Sequence, residues 1–405
     1  MSSLVPLEKV QAEILAAVPN LSAIEVALTD ALGLVLAEDI FTAEPVPPFA
    51  NTAMDGYAVR AADTESASLT SPVSLRVVDE VPAGHVATHP VGPSEAIRIM
   101  TGAPMPNGAD AVVMVERTHS LDPETVAVEH PATRGDHVRL AGGDLAAGDE
   151  VFSLGTELTA AHIGVLASIG VTQIRVIPAP RVGVLSTGDE LIAAGPLAPG
   201  QIRDSNRPML LGLVRESGFV PVDLGQVGDD EDLIVDTLRP ALLECEAILT
   251  SGGVSVGDYD FVKAALNRLG SLEWRQVAIK PAKPLAFGVI SGTPIFGLPG
   301  NPVSSLVSYE LFARPALRQM SGHQILHRPT VSARAEHDFT RRPDGKVHFV
   351  RVQVRWSESG YVVASSGEQA SNVLSATARA NGLARIPDGN GVTAGDSVSV
   401  VLWRA

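Results

Sequence analysis

The chain of 405 residues has a single cysteine, Cys245, which excludes a disulfide within the chain and any cysteine-rich zinc site. Cys245 closes an apolar helical pattern, a place that suits packing. The ten histidines are scattered, and a histidine metal site is not expected. No apolar run reaches the roughly 18 residues that a transmembrane helix needs. The opening Met1–Val10 has no basic region ahead of an apolar stretch, so a secretory signal is not expected and the cytoplasm is the expected location. Positive charge is also short. Lys and Arg number 30 against 46 Asp and Glu, and a formal charge of −16 argues against bulk binding to nucleic acid or a membrane surface. An anionic ligand would need local basic residues or a metal to overcome that field.

Burial is not limiting, since 45% of the residues are hydrophobic. Length alone suggests two or three domains, or four if some are small. The stretch Ala247 to Asp260 organises the rest. Ile248 and Leu249 close an apolar strand. Thr250, Ser251, Gly252 and Gly253 then offer backbone N–H groups that an anion can approach with no Cβ in the way. Asp258 and Asp260 follow, and Phe261 to Leu266 has helical spacing up to Gly270. Two acids beside an anion cradle suit a hard cation such as Mg²⁺ between carboxylate and phosphate oxygens. A solvated turn with a capping Asp satisfies the same residues, and the motif alone leaves both readings open.

Taken in order, Leu7, Val10, Ile14, Leu15 and Val18 recur at helical spacing up to Pro19-Asn20, and a second helix is expected around Asp30 to Asp39. Pro45-Val-Pro-Pro48 is extended and leads into a polar loop ending at Asp55-Gly56-Tyr57, where Asp55 is either a turn former or a ligand-facing acid. Leu75 to Glu150 reads as a separate domain of short strands, among them Leu75–Val78, Ala111–Val115 and Val126–Val128. Within it Thr101 ends a strand before a loop rich in glycine and proline, whose turn chemistry does not single it out. A helix is expected from Thr159 to Gly170.

Beyond Pro178-Ala-Pro180, strands and helices alternate, as in a parallel sheet with crossover helices. Arg181–Leu185 runs into Ser186-Thr-Gly-Asp-Glu190, a helix starts near Asp204-Ser-Asn-Arg-Pro208, and Val220–Val227 runs into Gly228-Asp-Asp230. Three successive strands thus end in small and acidic residues at one sheet edge, where open α/β folds bind ligands. Lys280 and Lys283 sit between prolines that restrict their backbone, a rigid elbow able to clamp an anion. Asn301 is placed to cap a helix beginning at Pro302, whose first N–H groups could also take a phosphate. Short strands after Gly322 imply a small all-β tail.

Six motifs together, Met54-Asp-Gly-Tyr57, Met100-Thr-Gly-Ala-Pro104, Ser186-Thr-Gly-Asp-Glu190, Ser251-Gly-Gly-Val-Ser-Val-Gly257, Lys280-Pro-Ala-Lys-Pro284 and Leu298-Pro-Gly-Asn-Pro302, resemble the MoeA family in order and spacing. These are molybdopterin molybdenumtransferases. The resemblance implies a multidomain α/β plus β protein. Its parts are an elongated N-terminal domain (1–50 and 142–178), an inserted β-rich domain (51–141), a doubly wound MogA-like α/β domain (179–326) and a C-terminal β barrel (327–405). It implies a homodimer that takes adenylylated molybdopterin and molybdate, cleaves the former in a Mg²⁺-dependent step and releases AMP; whether a molybdopterin adenylyltransferase works beside it as a partner is left open.

The site residues follow from the same resemblance. Glu190, Asp229 and Asp260 would hold Mg²⁺ or the phosphates, and Asp55 and Thr101 would come from the partner chain. Lys280, Lys283, Arg351 and Ser371 would form the molybdate site, and Ser251, Gly252, Gly253, Ser255, Pro284, Pro299 and Asn301 complete the ligand-contacting set. Ala282 stands where the family usually has glycine, and Gly143 where an acid is frequent, so Asp144 is left out. Two rivals share the fold. An adenylyltransferase would resemble the α/β domain alone with a Gly-Gly-Thr-Gly type turn, and a gephyrin-like scaffold need not keep its metal carboxylates.

Overall fold

The computed structural model describes residues 4–252 and 261–403. The chain divides into two compact units, one of Met1–Ala37, Gly155–Thr159 and Ile174–Ala405, the other of Glu38–Leu154 and Ala160–Gln173.

In the first unit, alternating strands and helices build a six-stranded sheet in the order Val220–Val227, Arg181–Thr187, Ala247–Ser251, Thr293–Leu298, Pro284–Ile290 and Glu273–Gln276. The first four strands are parallel. The Asn206–Glu216 and Glu231–Glu244 helices connect the first three of them in sequence. The second of these helices begins where Asp230 accepts a bond from Leu233 N at 3.0 Å, and Glu231 and Asp232 add negative charge at the positive end of its dipole. Its Ile234, Val235, Leu238 and Ala241 then face one core with Ile248, Val262 and Leu266. Cys245 is packed there, and burial pushes its thiol pKa up.

Two departures from the sequence expectation have local causes. The sheet is not parallel throughout, because Pro284–Ile290 and Thr293–Leu298 are joined only by Ser291 and Gly292, with φ of 52° and 88°. A left-handed pair of this kind makes a tight hairpin, and two residues cannot form a crossover. No helix spans Asp30 to Asp39. Gly33 turns at φ 79°, and the buried Val35–Leu36 pairs antiparallel with Val176 and Ile177. Tertiary pairing of a β-branched segment overrides its weak helical pattern.

After the sheet, Val347–Ser357, Gly360–Ser365, Thr330–Ala335, Ser397–Leu402 and Gly382–Ile386 pair in that order, and the last returns to the first, closing a five-stranded barrel. Closure leaves these strands no open edge in the ring. Alternate residues such as Val352, Val363, Val398 and Val400 fill the interior. A short outer strand, Ile279–Lys280, lies parallel to the barrel's longest strand and sets Lys280 opposite His348. The elbow that carries both lysines is therefore fixed to the barrel as well as to the sheet.

The second unit has its own six-stranded sheet, in the order Ala111–Met114, Gly56–Val59, Glu95–Ile99, Val73–Val81, Thr125–Val128 and Thr118–Asp122. It also holds the Ala160–Ser168 helix, which is followed by Gly170 at φ 81°.

Candidate functional site

The carboxyl ends of the parallel strands gather the small and acidic residues singled out in the sequence. The Ala247–Ser251 strand ends at Gly252, with φ 106°, and a Cβ there would meet the Thr187 carbonyl oxygen at 2.7 Å. Only glycine lets these two strand ends approach so closely. The Gly252 N–H donates to the Leu298 carbonyl at 3.2 Å, joining the third strand end to the fourth. Asn206, at the start of its helix, donates from Nδ2 to Ser251 Oγ at 2.7 Å and to the Gly300 carbonyl at 2.6 Å. One buried amide thus ties the Ser251 turn to the Pro299-Gly300-Asn301 turn. Among the described residues the oxygens Asn206 Oδ1, Thr187 Oγ1 and Thr250 Oγ1 are buried at this edge without a partner.

The acids stand at the rim. Asp229 receives its shape from Asp189, whose Oδ1 accepts the Asp229 N–H at 3.0 Å. The Glu190 carboxylate lies back over Gly188, where a Cβ would touch it. Glu190 and Asp229 are both exposed, and Asp230 beside them serves as a helix cap. Among the described residues no three or more His, Cys, Asp or Glu side chains gather as a metal cage. Mg²⁺, however, keeps several waters and is commonly held by one or two carboxylates plus phosphates, so an exposed Glu190 and Asp229 fit a substrate-bridged ion and not a preformed protein site. Gly253, Ser255 and Asp260 lie outside the described residues. The histidine pairs at four-residue spacing, His85 with His89 and His323 with His327, fall in turns and not on a helix, so the spacing puts neither pair on one face.

Beside the barrel a cleft of about 1070 Å³ is lined by Lys280, Lys283, Pro284, Pro299, Asn301 and Ser371, joining six of the expected residues. The lysine elbow is closed by the bond from Val277 N to the Lys283 carbonyl at 2.7 Å, and the Lys280–Pro281 peptide is cis. Ala282 is buried at φ 71°. Both lysines are exposed, and among the described residues neither ammonium makes an ion pair. Asn301 precedes the Pro302–Ser308 helix but makes no side-chain cap; it is exposed on the cleft wall. The first available N–H of that helix, on Val303, donates to the Ser371 carbonyl at 3.2 Å, so part of the expected phosphate-binding helix end is already occupied by the barrel loop.

Arg351 does not line the cleft as a free cation. It is 1% exposed, and its donors are committed. Nε donates to Gln369 Oε1, Nη1 to the Val373 carbonyl and Thr377 Oγ1, and Nη2 to the carbonyls of Glu368 and Ala370, at 2.8 to 3.4 Å. Burial lowers its pKa. The guanidinium is bonded to the loop that carries Ser371, and its side chain does not line the cleft. Gln369, which accepts from Arg351 N and Nε and donates to its carbonyl, was not singled out in the sequence; an uncharged residue in a loop gives no signal there. Asn206, at a helix start, was missed because its bonds reach partners 45 and 94 positions away.

Farther along the cleft, Asp344 joins Lys346 at 3.0 Å and His348 at 3.2 Å. Desolvation would raise its pKa, but the hydrogen bonds from Lys346 and His348 outweigh it and hold it at about 2. His348 is pushed down by burial first, and the charges of Arg341 and Lys280 add to that. Lys280 of the elbow and Arg341 of the barrel thus both act on His348.

In the second unit the structure brings Asp55 and Thr101 together. Thr101 donates to Asp55 Oδ1 from both its hydroxyl and its backbone N–H, each at 2.7 Å. These two bonds, the hydroxyl's first, hold the Asp55 pKa below the usual carboxylate range. The acid is thus kept charged by a residue 46 positions away, which a turn former alone would not require.

Family models match nearly the whole chain. They are the MoeA N-terminal region (domain I and II) over residues 5–170, a probable molybdopterin binding domain over 183–319, and the MoeA C-terminal region (domain IV) over 332–403. Molybdopterin molybdenumtransferase 2 of Mycobacterium tuberculosis is 43% identical over 375 residues, 90% of this chain and 91% of its own length. The molybdopterin molybdenumtransferase of Bacillus subtilis is 35% identical over 385 residues, 94% and 89% of the two chains. The molybdopterin biosynthesis MoeA protein of Pyrococcus horikoshii, a solved structure, superposes with a TM-score of 0.82 at 32% identity over 99% of this chain and 100% of its own. With a closed barrel after the α/β sheet and relatives this similar over this length, the chain belongs to the MoeA family, that of the molybdopterin molybdenumtransferases.

Proposed function

We propose that this transferase moves molybdenum from molybdate to adenylylated molybdopterin, and that the cleft at the lysine elbow receives the oxoanion. The observation that carries the reading is the pair Lys280 and Lys283, two exposed ammonium groups on a loop fixed at both ends, without an ion pair among the described residues in a chain of net charge −16. Such charges are available to an anion, and salt bridges on the protein's own surface do not compete for them.

In this proposal the Ser251, Gly252, Gly253 and Ser255 turn, with Pro284, Pro299 and Asn301, orients the phosphate-bearing substrate. Ser371 approaches molybdate from the barrel loop that Arg351 holds in shape. Glu190 and Asp229, with Asp260, would hold Mg²⁺; when bound, the ion supplies charge neutralisation at the phosphoanhydride as AMP departs. Asp55, kept ionised by Thr101, comes from the second copy of a homodimer in the cytoplasm, and a molybdopterin adenylyltransferase supplies the adenylylated substrate. No side chain acts as a nucleophile, since a molybdate oxygen or water can attack phosphorus.

The test is AMP release from adenylylated molybdopterin by purified protein in Mg²⁺, with and without molybdate. Release is expected to require molybdate and to leave molybdenum on the dithiolene. Lys283→Ala should still bind the adenylylated compound while molybdate-dependent turnover falls by at least about tenfold, the loss of roughly 1.4 kcal/mol of transition-state binding. Full turnover in that variant would remove the anion clamp from the proposal.

A further inference from the structure

We propose that a second cavity of the first unit, about 280 Å³ in volume and separate from the lysine cleft, is a binding site for a small oxyanion of the phosphate or sulfate class, held by Arg314. The residues that decide its chemistry are Arg314, Arg318, Arg328, His323, Glu157 and Glu216.

The helix that supplies Arg314 runs from Pro302 to Met320 and contains a π-helical segment, Tyr309–Ala313, which ends immediately before it. Such segments interrupt the regular ladder and recur at ligand sites. Arg328 is paired with the buried Glu310 through two bonds of 3.0 Å. Arg318 donates to Glu157 at 2.8 Å, and His323 lies 3.4 Å from the same carboxylate. Glu216 acts on Arg328. Arg314 is different. It is 7% exposed, its one recorded bond runs from Nη1 to the Leu326 carbonyl at 3.2 Å, and its Nε is buried with no partner among the described residues. Desolvation first, and repulsion from Arg328 second, push its pKa down to about 10.

A buried guanidinium without a carboxylate is costly, and three guanidinium groups on one wall repel one another. The carboxylates present pair with Arg318, Arg328 and His323 and none forms an ion pair with Arg314 among the described residues; Glu310 favours its charge only through space, and burial and Arg328 outweigh it. A compact anion in the cavity would lower the mutual repulsion of the three guanidinium groups. The volume corresponds to about nine waters, at roughly 30 Å³ each, which accommodates an oxyanion with part of its hydration shell. Two guanidinium groups a turn apart on one helix and a third, on Arg328 beyond it, suit an anion that accepts bonds from several directions better than a flat carboxylate.

The experiment is thermal unfolding of the full chain in chloride, phosphate, sulfate, molybdate and acetate at matched ionic strength. The background is Lys280→Ala/Lys283→Ala, so that the lysine cleft does not contribute. Phosphate or sulfate should raise the midpoint saturably, by about 2 °C at ten times the Kd. Arg314→Leu should abolish that rise while leaving stability in chloride equal or higher, because it removes an unpaired buried charge. Arg314→Gln serves if the leucine variant does not fold, and isothermal titration of the parent with phosphate counts the site directly. Absence of a saturable shift and of titration heat in the parent overturns the proposal, as does an undiminished shift in both Arg314 variants. A shift with molybdate alone would likewise refute the phosphate and sulfate class. Failure here leaves the lysine-cleft reading untouched, since that site is absent from the background.

Discussion

The sheet edge and the lysine cleft are adjacent stretches of one chain, and they prepare for an anion in opposite ways. At the edge the framework is bonded within itself, while Asn206 Oδ1, Thr187 Oγ1 and Thr250 Oγ1 stay unpartnered among the described residues. Asn206 joins Ser251 to Gly300, Asp189 holds Asp229 through its N–H, and Gly252 meets both Thr187 and Leu298. In the cleft the two lysines are left without ion pairs among the described residues, and the rigid bonding lies behind them, around Arg351. In the proposed function the edge would select by shape, which is fixed before a ligand arrives, and the cleft by charge, which only a ligand neutralises. If so, substitutions in the framework should damage stability as well as function, while substitutions of the lysines should damage function alone.

The largest effect is expected at Arg351. Replacing it with alanine leaves the carbonyls of Glu368, Ala370 and Val373 without their donor inside the protein, and should cost about 3–5 kcal/mol in urea unfolding. Arg351→Lys has three donors in place of five and should recover less than half of that loss. A cost below about 1 kcal/mol for the alanine variant would mean that the loop does not depend on the guanidinium. Gly252→Ala comes next. Its φ of 106° and the Thr187 oxygen at 2.7 Å combine strain with a backbone clash, so about 2–4 kcal/mol is expected by the same measurement. An alanine variant as stable as the parent would show that the strand ends can separate, and would undo the argument that their spacing is preset.

This contrast also explains what could be read in the sequence. The strand ends were legible because each is local, a short apolar run followed by glycine and acids, and the lysine elbow because prolines flank it. The barrel was legible as short strands, and its closure followed from the family resemblance. What holds these pieces together was not legible. Asn206 reaches Ser251 and Gly300 across 45 and 94 positions, and no periodicity encodes such a bond. Arg351 and Ser371 were named only through the resemblance, and it could not reveal that the arginine is buried behind the loop. The Asp30–Asp39 helix failed for a related reason. Its weak pattern was outcompeted by strand pairing with Val176 and Ile177, far along the chain.

A smaller effect is expected at Asp55, and it appears in pH and not in overall stability. Its folded pKa lies below the ordinary carboxylate value, so the stabilisation it brings is complete above the unfolded pKa of about 3.9 and is lost as pH falls through the lower folded value. Thr101→Val removes the hydroxyl bond and keeps the backbone one. The Asp55 titration, followed by carboxyl carbon chemical shifts, should move up toward the ordinary value, so that its acid-labile contribution becomes smaller and its loss is complete at a higher pH. An unmoved titration would assign the shift to the backbone N–H alone, and Asp55 would belong with the preset groups of the sheet edge.

The smallest effect, and the one that separates the two regions most cleanly, is Ala282→Gly. Left-handed backbone costs a residue with a Cβ roughly 1–2 kcal/mol, so glycine at φ 71° should relieve that strain. Against this stand the loss of one buried methyl, worth about 0.8 kcal/mol, and the greater freedom of glycine in the unfolded chain, about 0.5–1 kcal/mol. The terms nearly cancel, and unfolding should change by less than about 1 kcal/mol. Function need not cancel with it. Ala282 lies between Lys280 and Lys283, and a looser elbow holds two like charges together less tightly when no ligand is present. Molybdate should then bind more weakly, raising its KM with little change in kcat, whereas a shape-selecting site would show the loss in kcat. A variant with both parameters unchanged would mean that the bond from Val277 N to the Lys283 carbonyl fixes the elbow without help from the alanine, and that the cleft is as preset as the sheet edge.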